Sequence, residues 1–263
     1  MKKKTYKIWG VAALVLLIGS ITLLLYPSVS KVINQKTADS IIERFNEVVE
    51  RVDQESSSGD HDQEQDSGIE GNKSHDVDYI VYNSEYTLTP TDIEALRRDS
   101  LEYNEGLKER QSFDDTDFSS AALDLTDYGI HNGVYGYISI PAVNLQMPIL
   151  LGSSDENMAS GVTHLFSTSL PTGGKDTNCV ISGHTGYTGK TFFDDIPGLP
   201  IGSRVTVRTL FGELEYQVND IKKIEINQSA DIYIQKSKDM LTLLTCADGG
   251  QKRWLVSCVR DTG

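Results

Sequence analysis

Leu241-Thr242-Leu243-Leu244-Thr245-Cys246 is an apolar run that ends in a thiol. Ala247-Asp248-Gly249-Gly250-Gln251-Lys252 follows, and then Arg253 opens a second run, Trp254-Leu255-Val256-Ser257-Cys258-Val259. Short apolar runs split by Asp-Gly-Gly read as two strands joined by a turn. The same texture extends back to about Val134, in VYGYISI, MPILL, NCVISG, SRVTVRTL and ELEYQVNDIKKIEI, punctuated by Gly, Pro, Asn and Asp. No helical pattern alternates with these runs, which argues against a parallel doubly wound sheet. The expectation is a mainly β fold over residues 131–263, a mixed β-barrel of about seven to eight strands with short helices.

A barrel brings the tips of its strands together at one rim. Cys179-Val180-Ile181-Ser182-Gly183-His184 is an apolar strand that ends in Gly-His and then a loop, TGYTGKTFF. With Cys246 and Arg253 at neighbouring tips, the rim holds a base or acid, a nucleophile and an anion stabiliser. An unperturbed thiol is only a few per cent ionised at neutral pH, and a neighbouring imidazolium favours the thiolate and can protonate a leaving amine. A guanidinium stays charged and can bond an oxyanion or hold a substrate backbone. Spacing alone leaves open a membrane-anchored surface binding module in which Cys246 is structural.

Upstream of the barrel the texture changes. Residues 78–130 hold a helix and an acidic stretch. The helix is expected to begin near Thr91, where Thr91 and Glu94 make a capping-box pattern after Pro90, and Ile93, Leu96, Leu101, Tyr103 and Leu107 give it an apolar side. The acidic stretch QSFDDTDFSSAALDLTD occupies 111–127. Residues 55–77 are nearly all Ser, Gly, acidic and amide residues, with His61 and His75 among them, and read as a flexible linker. Over 27–54, Ile41, Ile42, Phe45, Val48, Val49 and Val52 recur at helical spacing and predict an amphipathic helix or stalk. Trp9 to Tyr26 is an uncharged apolar run, about 27 Å as a helix, preceded by a basic tail (1–8) with Lys2, Lys3, Lys4 and Lys7. It reads as an uncleaved anchor rather than a signal peptide, because Leu23-Leu24-Leu25-Tyr26-Pro27 offers no small-x-small cleavage site. The lysines keep the N-terminus inside, so a single-pass protein with its catalytic domain outside the plasma membrane is expected.

Of 263 residues, 38 are acidic and 24 basic, giving a formal charge of −14. That excludes nucleic acid as a partner, since phosphate binding needs a basic face. Three cysteines are too few for a disulfide framework, and their odd number leaves at least one thiol free unless it pairs between chains.

LTLLTC with Arg253 following resembles the TLxTC…R signature of the sortases, and VISGH resembles the strand that carries their histidine. The order His, Cys, Arg and the N-terminal anchor also match. The resemblance covers about residues 91–260. Within the family, EYNEGL, GVTHLFSTSLPTGGKDTN and HTGYTGKTFFDDIPGLPIGSRV are similar to the pilin-polymerising class C branch. The resemblance implies that Cys246 attacks the Thr carbonyl of an LPxTG-like sorting signal, that the Thr–Gly bond breaks and that a thioester forms. His184 is then the proton carrier and Arg253 the group that stabilises the oxyanion or positions the signal. The acceptor would be an amine, on a pilin lysine or on a peptidoglycan cross-bridge in the Gram-positive-type cell wall, and no metal or other cofactor is needed.

Two features depart from class C. No Pro lies between Pro90 and Pro141, so the Asp-Pro-aromatic lid motif of that branch is missing, with Ser112-Phe113-Asp114 or Asp117-Phe118 as substitutes or as an ordinary surface loop. No second apolar segment follows the last strand. A papain-like hydrolase is disfavoured because its Cys precedes its His. Arg260 lies at least 20 Å from Arg253 along an extended strand, too far to serve the same site. His164 is expected in structural hydrogen bonds, His131 at the surface, and Cys179 and Cys258 as buried inert thiols. Asp248 is a candidate to orient His184.

Overall fold

The computed structural model describes residues 2–58, 80–82 and 86–260. Most of the expected linker, with His61 and His75, lies outside the described residues. One helix, α1 (Lys2–Ser58), runs unbroken through Pro27 and takes in both the apolar run and the amphipathic stretch. It is apolar and long enough to cross a membrane near the N-terminus, and none of that apolar window is buried. Farther along, Phe45, Val48, Val49 and Val52 are buried, and Phe45 meets Tyr137 edge-on at 5.9 Å between ring centres. The amphipathic stripe therefore faces the barrel.

Strands β1 (Ile80–Tyr82) and β2 (Tyr86–Leu88) form a small antiparallel sheet that the sequence pattern did not suggest. Helix α2 (Pro90–Arg110) starts two residues earlier than the capping pattern at Thr91 implied. Thr89 is the N-cap and Asp92 its partner, with Pro90 in the first helical turn. Asp92 competes better than Glu94 because its carboxylate accepts from both the amide and the hydroxyl of Thr89, each at 2.7 Å. The first turn also tolerates Pro90, whose missing N–H has no partner to lose.

Eight strands close into a barrel: β3 (Val134–Ile140), β4 (Leu145–Leu151), β5 (Val162–His164), β6 (Thr177–Ser182), β7 (Arg204–Thr209), β8 (Gly212–Glu225), β9 (Asp239–Ala247) and β10 (Lys252–Arg260). Their order around the barrel is β10-β8-β7-β3-β4-β5-β6-β9. The sheet is mixed, as expected. β4 runs parallel to β5 and β6 parallel to β9, while the remaining pairs are antiparallel. β5 is three residues long, too short to show a period, and its run had not been singled out as a strand.

The barrel interior is filled by Ile138, Ile149, Val162, Ile181, Val207, Leu241, Leu243 and Val256, all fully buried. A second cluster joins α1 and α2 to the outer wall through Phe45, Leu96, Tyr135 and Leu170. Asn104 of α2 fixes the loop after β5: its side chain donates to the Leu170 carbonyl at 3.0 Å and accepts from the Leu170 amide at 2.8 Å. A buried amide satisfied on both sides in this way locks the connection it touches.

Candidate active site

The β9–β10 turn decides where the thiol and the guanidinium meet. Asp248, Gly249 and Gly250 all take positive φ (51°, 66° and 91°), a tight reversal that suits two glycines and an aspartate. The reversal sets the antiparallel register so that Arg253 lies directly opposite Cys246. On the other side of β9, the parallel register pairs Ser182 with Leu244, and the Gly183 amide donates to the Leu244 carbonyl at 3.1 Å. His184 follows Ser182 by two residues and Cys246 follows Leu244 by two, so both come just past the last paired positions of the two strands. Cys246, His184 and Arg253 all line one cleft of about 570 Å³, with Leu165, Ile224, Ile232 and Leu244 in its apolar wall.

Side chains alternate along β9, so Cys246 faces the cleft, half-buried, while Thr245 points the other way and is 2 % exposed. The Thr245 hydroxyl donates to the Gly183 carbonyl at 2.6 Å and accepts from the Thr185 hydroxyl at 2.6 Å. Both partners flank His184, so Thr245 ties the histidine segment to the cysteine strand. Gly183 is required by contact: a Cβ there would meet the Phe193 ring at 2.8 Å.

The loop after His184 is held by its own backbone. The Phe193 amide donates to the His184 carbonyl at 2.9 Å, and the Asp194 carboxylate accepts from the amides of Gly186 (2.8 Å) and Phe192 (3.0 Å). Tyr187 and Phe192 flank the imidazole at 4.9 and 5.9 Å between ring centres. Arg253 donates from Nη1 to the carbonyls of Gly250 (2.8 Å) and Lys252 (3.0 Å). Among the described residues the guanidinium makes no other polar bond.

Phe113, Asp114 and Phe118 of the acidic stretch also line the cleft. Phe113 stacks edge-on against Tyr233 at 4.5 Å and lies 6.0 Å from Phe118. Gln111 pins the start of this arch, donating to the Ser167 carbonyl (2.9 Å) and accepting from the Ile234 amide (2.8 Å). The Phe118 carbonyl accepts from the Ser153 amide at 2.7 Å.

Other residues fall elsewhere. Asp248 pairs with Lys223 at 2.7 Å and does not bond His184, because the left-handed turn carries it toward β8. Arg260, at the opposite end of β10, pairs with Asp239. His131 is exposed and meets the Thr87 hydroxyl at 2.7 Å. All three cysteines are free, and Cys179 and Cys258 are buried. Burial pushes the Cys258 thiol up to about 12 and the Cys179 thiol up further, with the Asp239 charge adding to the latter. His164 is fully buried, and its Nε2 contacts the carbonyls of Thr168 (3.0 Å) and Ser169 (3.2 Å). Tyr187, Phe192 and the wall at 224–232 were not singled out from sequence, and Thr245 entered only as a motif residue with no role given. For Thr245 the available signal was a β-branched hydroxyl beside the rim cysteine.

The sortase domain model matches residues 138–261. Sortase A of Bacillus anthracis is 29% identical over 126 residues, 47% of this chain and 58% of that protein. Sortase D of Bacillus subtilis (strain 168) is 27% identical over 111 residues, 42% of this chain and 53% of that protein. The alignments thus span little more than half the length of these curated relatives. The type II crystal structure of Streptococcus agalactiae sortase C1 superposes with a TM-score of 0.60 at 30% identity, covering 67% of this chain and 93% of the other. The eight-stranded mixed barrel, the Thr-Cys strand end and the facing arginine agree with these likenesses: the chain belongs to the sortase family.

Proposed function

We propose that this protein is a membrane-anchored extracellular cysteine transpeptidase whose catalytic residues are Cys246, His184 and Arg253. The observation that carries the reading is their convergence on one cleft, with Cys246 and Arg253 opposite each other on neighbouring strands. The substrate is an LPxTG-like sorting signal. The Cys246 thiolate attacks the Thr carbonyl carbon, and the oxyanion that forms is bonded by Arg253. The Thr–Gly C–N bond then breaks, His184 gives its proton to the leaving Gly amine, and a thioester remains on Cys246. An incoming amine loses a proton to His184 and attacks the thioester carbon, so that a new amide forms and the thiolate leaves. The amine comes from a pilin lysine, as similarity to sortase C1 structures favours, or from a cell-wall peptide.

Anchoring by residues 9–26 supports a signal presented at the membrane surface. Ser30 and Asn34 lie only about 6–12 Å along the helix from the end of the apolar run, and they touch the loop that carries His184. The arch at 111–127 acts as a lid: Phe113 and Phe118 fill apolar space that a bound signal needs.

The test is incubation of the detergent-solubilised chain with an LPxTG peptide, read by mass spectrometry. A thioester adduct on Cys246 that resolves onto an added amine is expected, and the Cys246→Ala protein should fall to background, a loss of at least about 1000-fold, with its melting temperature kept. Phe113→Ala with Phe118→Ala should raise the adduct rate. A Cys246→Ala protein that still joins peptides would overturn the assignment.

A further inference from the structure

The anchor helix does more than tether. Asn34 on α1 donates from Nδ2 to the Gly189 carbonyl at 2.8 Å, across 155 residues of sequence. The same amide bonds the Ser30 carbonyl at 2.9 Å and the Ser30 hydroxyl at 3.2 Å, which fixes its rotamer on the helix. Gly189 is buried, with φ +76°, and a Cβ there would meet Ser30 Oγ at 2.5 Å and Ser30 Cβ at 2.8 Å. The helix therefore sits directly on the backbone of the loop that follows His184, closer than any other residue type at 189 would allow.

Two paths lead from this contact to the imidazole. The first is Lys190, whose ammonium lies 6.0 Å from the centre of the Tyr187 ring and donates to the Ala159 carbonyl. Tyr187 in turn flanks His184 at 4.9 Å. The second is Phe192, which lines a 160 Å³ cavity together with Asn34, Ala38 and Ile41 of α1 and presents its ring to His184 at 5.9 Å. Among the described residues, the His184 side chain has no hydrogen bond of its own, so its orientation depends on these two rings. Their places depend on a loop whose middle is fastened to α1.

We propose that Asn34 is a positioning residue for His184, acting through Gly189, Tyr187 and Phe192, and that the membrane-anchor helix is thereby a structural part of the active site. This deepens the transpeptidase reading and rests on it for the role of His184. Loss of the Asn34 donor should leave peptide binding intact and slow the proton transfers, because misplacement of a catalytic group costs rate rather than affinity.

The experiment uses the full chain in detergent micelles. Asn34→Asp keeps the shape but removes the donor, Asn34→Gln restores a donor, and Lys36→Ala changes an exposed residue on the same helix. Transfer of an LPxTG peptide to an added amine gives kcat and KM, and the ring signals of ¹⁵N-labelled histidine report His184 directly. In Asn34→Asp, kcat should fall about tenfold, with KM within about twofold and the melting temperature held. The His184 signals should shift or broaden while those of His131 and His164 stay in place. Asn34→Gln should recover most of the rate, and Lys36→Ala should match the parent. An Asn34→Asp protein with unchanged kcat and unchanged His184 signals would overturn the proposal, as would a loss shared with Lys36→Ala. If the parent chain transfers no peptide, the transpeptidase reading fails, and the His184 signals alone decide whether α1 positions that ring.

Discussion

Each of the three side-chain types gathered in the cleft has a counterpart elsewhere in the same barrel, and the two sets live in opposite surroundings. Cys246 is half-buried at the cleft, whereas Cys258, on the neighbouring strand, is fully buried with its thiol pushed up to about 12. His184 lies between two rings at an open rim, whereas His164 is sealed inside and held neutral, its pKa lowered to about 4 by burial. Arg253 bonds only backbone carbonyls, whereas Arg260 faces Asp239 at 3.5 Å and lies 5.7 Å from the Tyr216 ring centre. Residue chemistry is the same in both sets. What differs is whether the protein has sealed it inside or ion-paired it, or left it facing the cleft. A group whose partners are all internal stabilises the fold, and one left facing a cleft can act on something else.

The arginines separate the two sets most sharply. Arg253→Ala should lower kcat/KM by about 100- to 1000-fold, the range for losing an oxyanion donor, with the melting temperature nearly unchanged. Arg260→Ala should leave the rate within about twofold. It should cost about 1–2 kcal/mol of stability, because Asp239 loses a charged partner, though it keeps the Gly174 amide at 2.7 Å and the Tyr216 hydroxyl at 3.2 Å. Chemical denaturation and peptide-transfer kinetics on the two variants check both halves. If Arg260→Ala proved as inactive as Arg253→Ala, the contrast between the two ends of β10 would collapse.

The histidines sharpen it further through pH. His164 has a folded pKa near 4, below its usual 6.5, because burial disfavours the imidazolium. Between those values the unfolded chain binds more protons than the folded one, so stability rises with pH across that window. His164 thus contributes stability that is fully present above about 6.5 and is lost as pH falls toward 4, a drop of about 3 kcal/mol from a shift of this size. Denaturant midpoints measured from pH 7 to 4 should show the decline, and a His164→Asn protein should show less of it. An equal slope in both proteins would refute the assignment of that decline to His164.

The parts legible in the sequence are those with strong local signatures. Seven of the eight barrel strands stood out because each run is long enough to show its texture, whereas Val162–His164 is too short for any period to register. The strand ends with Cys246 and His184 were visible for the same reason. That they share one rim was expected from a barrel, but the pairing that brings them together was not legible, because it is a parallel register of β6 on β9 across some sixty residues, and such a register has no local code. The α2 start was misread by two residues because two Thr-x-x-acid patterns overlap there, and only the fold shows that Thr89 takes the cap. The apolar spacing of Phe45, Val48, Val49 and Val52 was plain. Its partner surface, the barrel wall, was invisible from the helix alone.

Thr245 tests the finest grain of the comparison, because it belongs to the closed set yet sits one residue from Cys246, the proposed nucleophile. Its hydroxyl is buried and doubly bonded, donating to Gly183 and accepting from Thr185. Thr245→Val keeps the shape and removes both bonds, leaving the Gly183 carbonyl without this donor. A loss of about 1–2 kcal/mol of stability is expected from that alone. If the hydroxyl merely stabilises, kcat for peptide transfer should stay within about twofold of the parent once the protein is folded. If it also sets the spacing between the His184 segment and the Cys246 strand, kcat should fall by about tenfold, since small misplacement of paired catalytic groups is costly. Thr245→Ser, which keeps the hydroxyl, should recover the rate in that case. The second outcome is expected, because both partners of the hydroxyl are the immediate neighbours of His184 in the chain, and no other hydrogen bond among the described residues joins them to the side chains of β9.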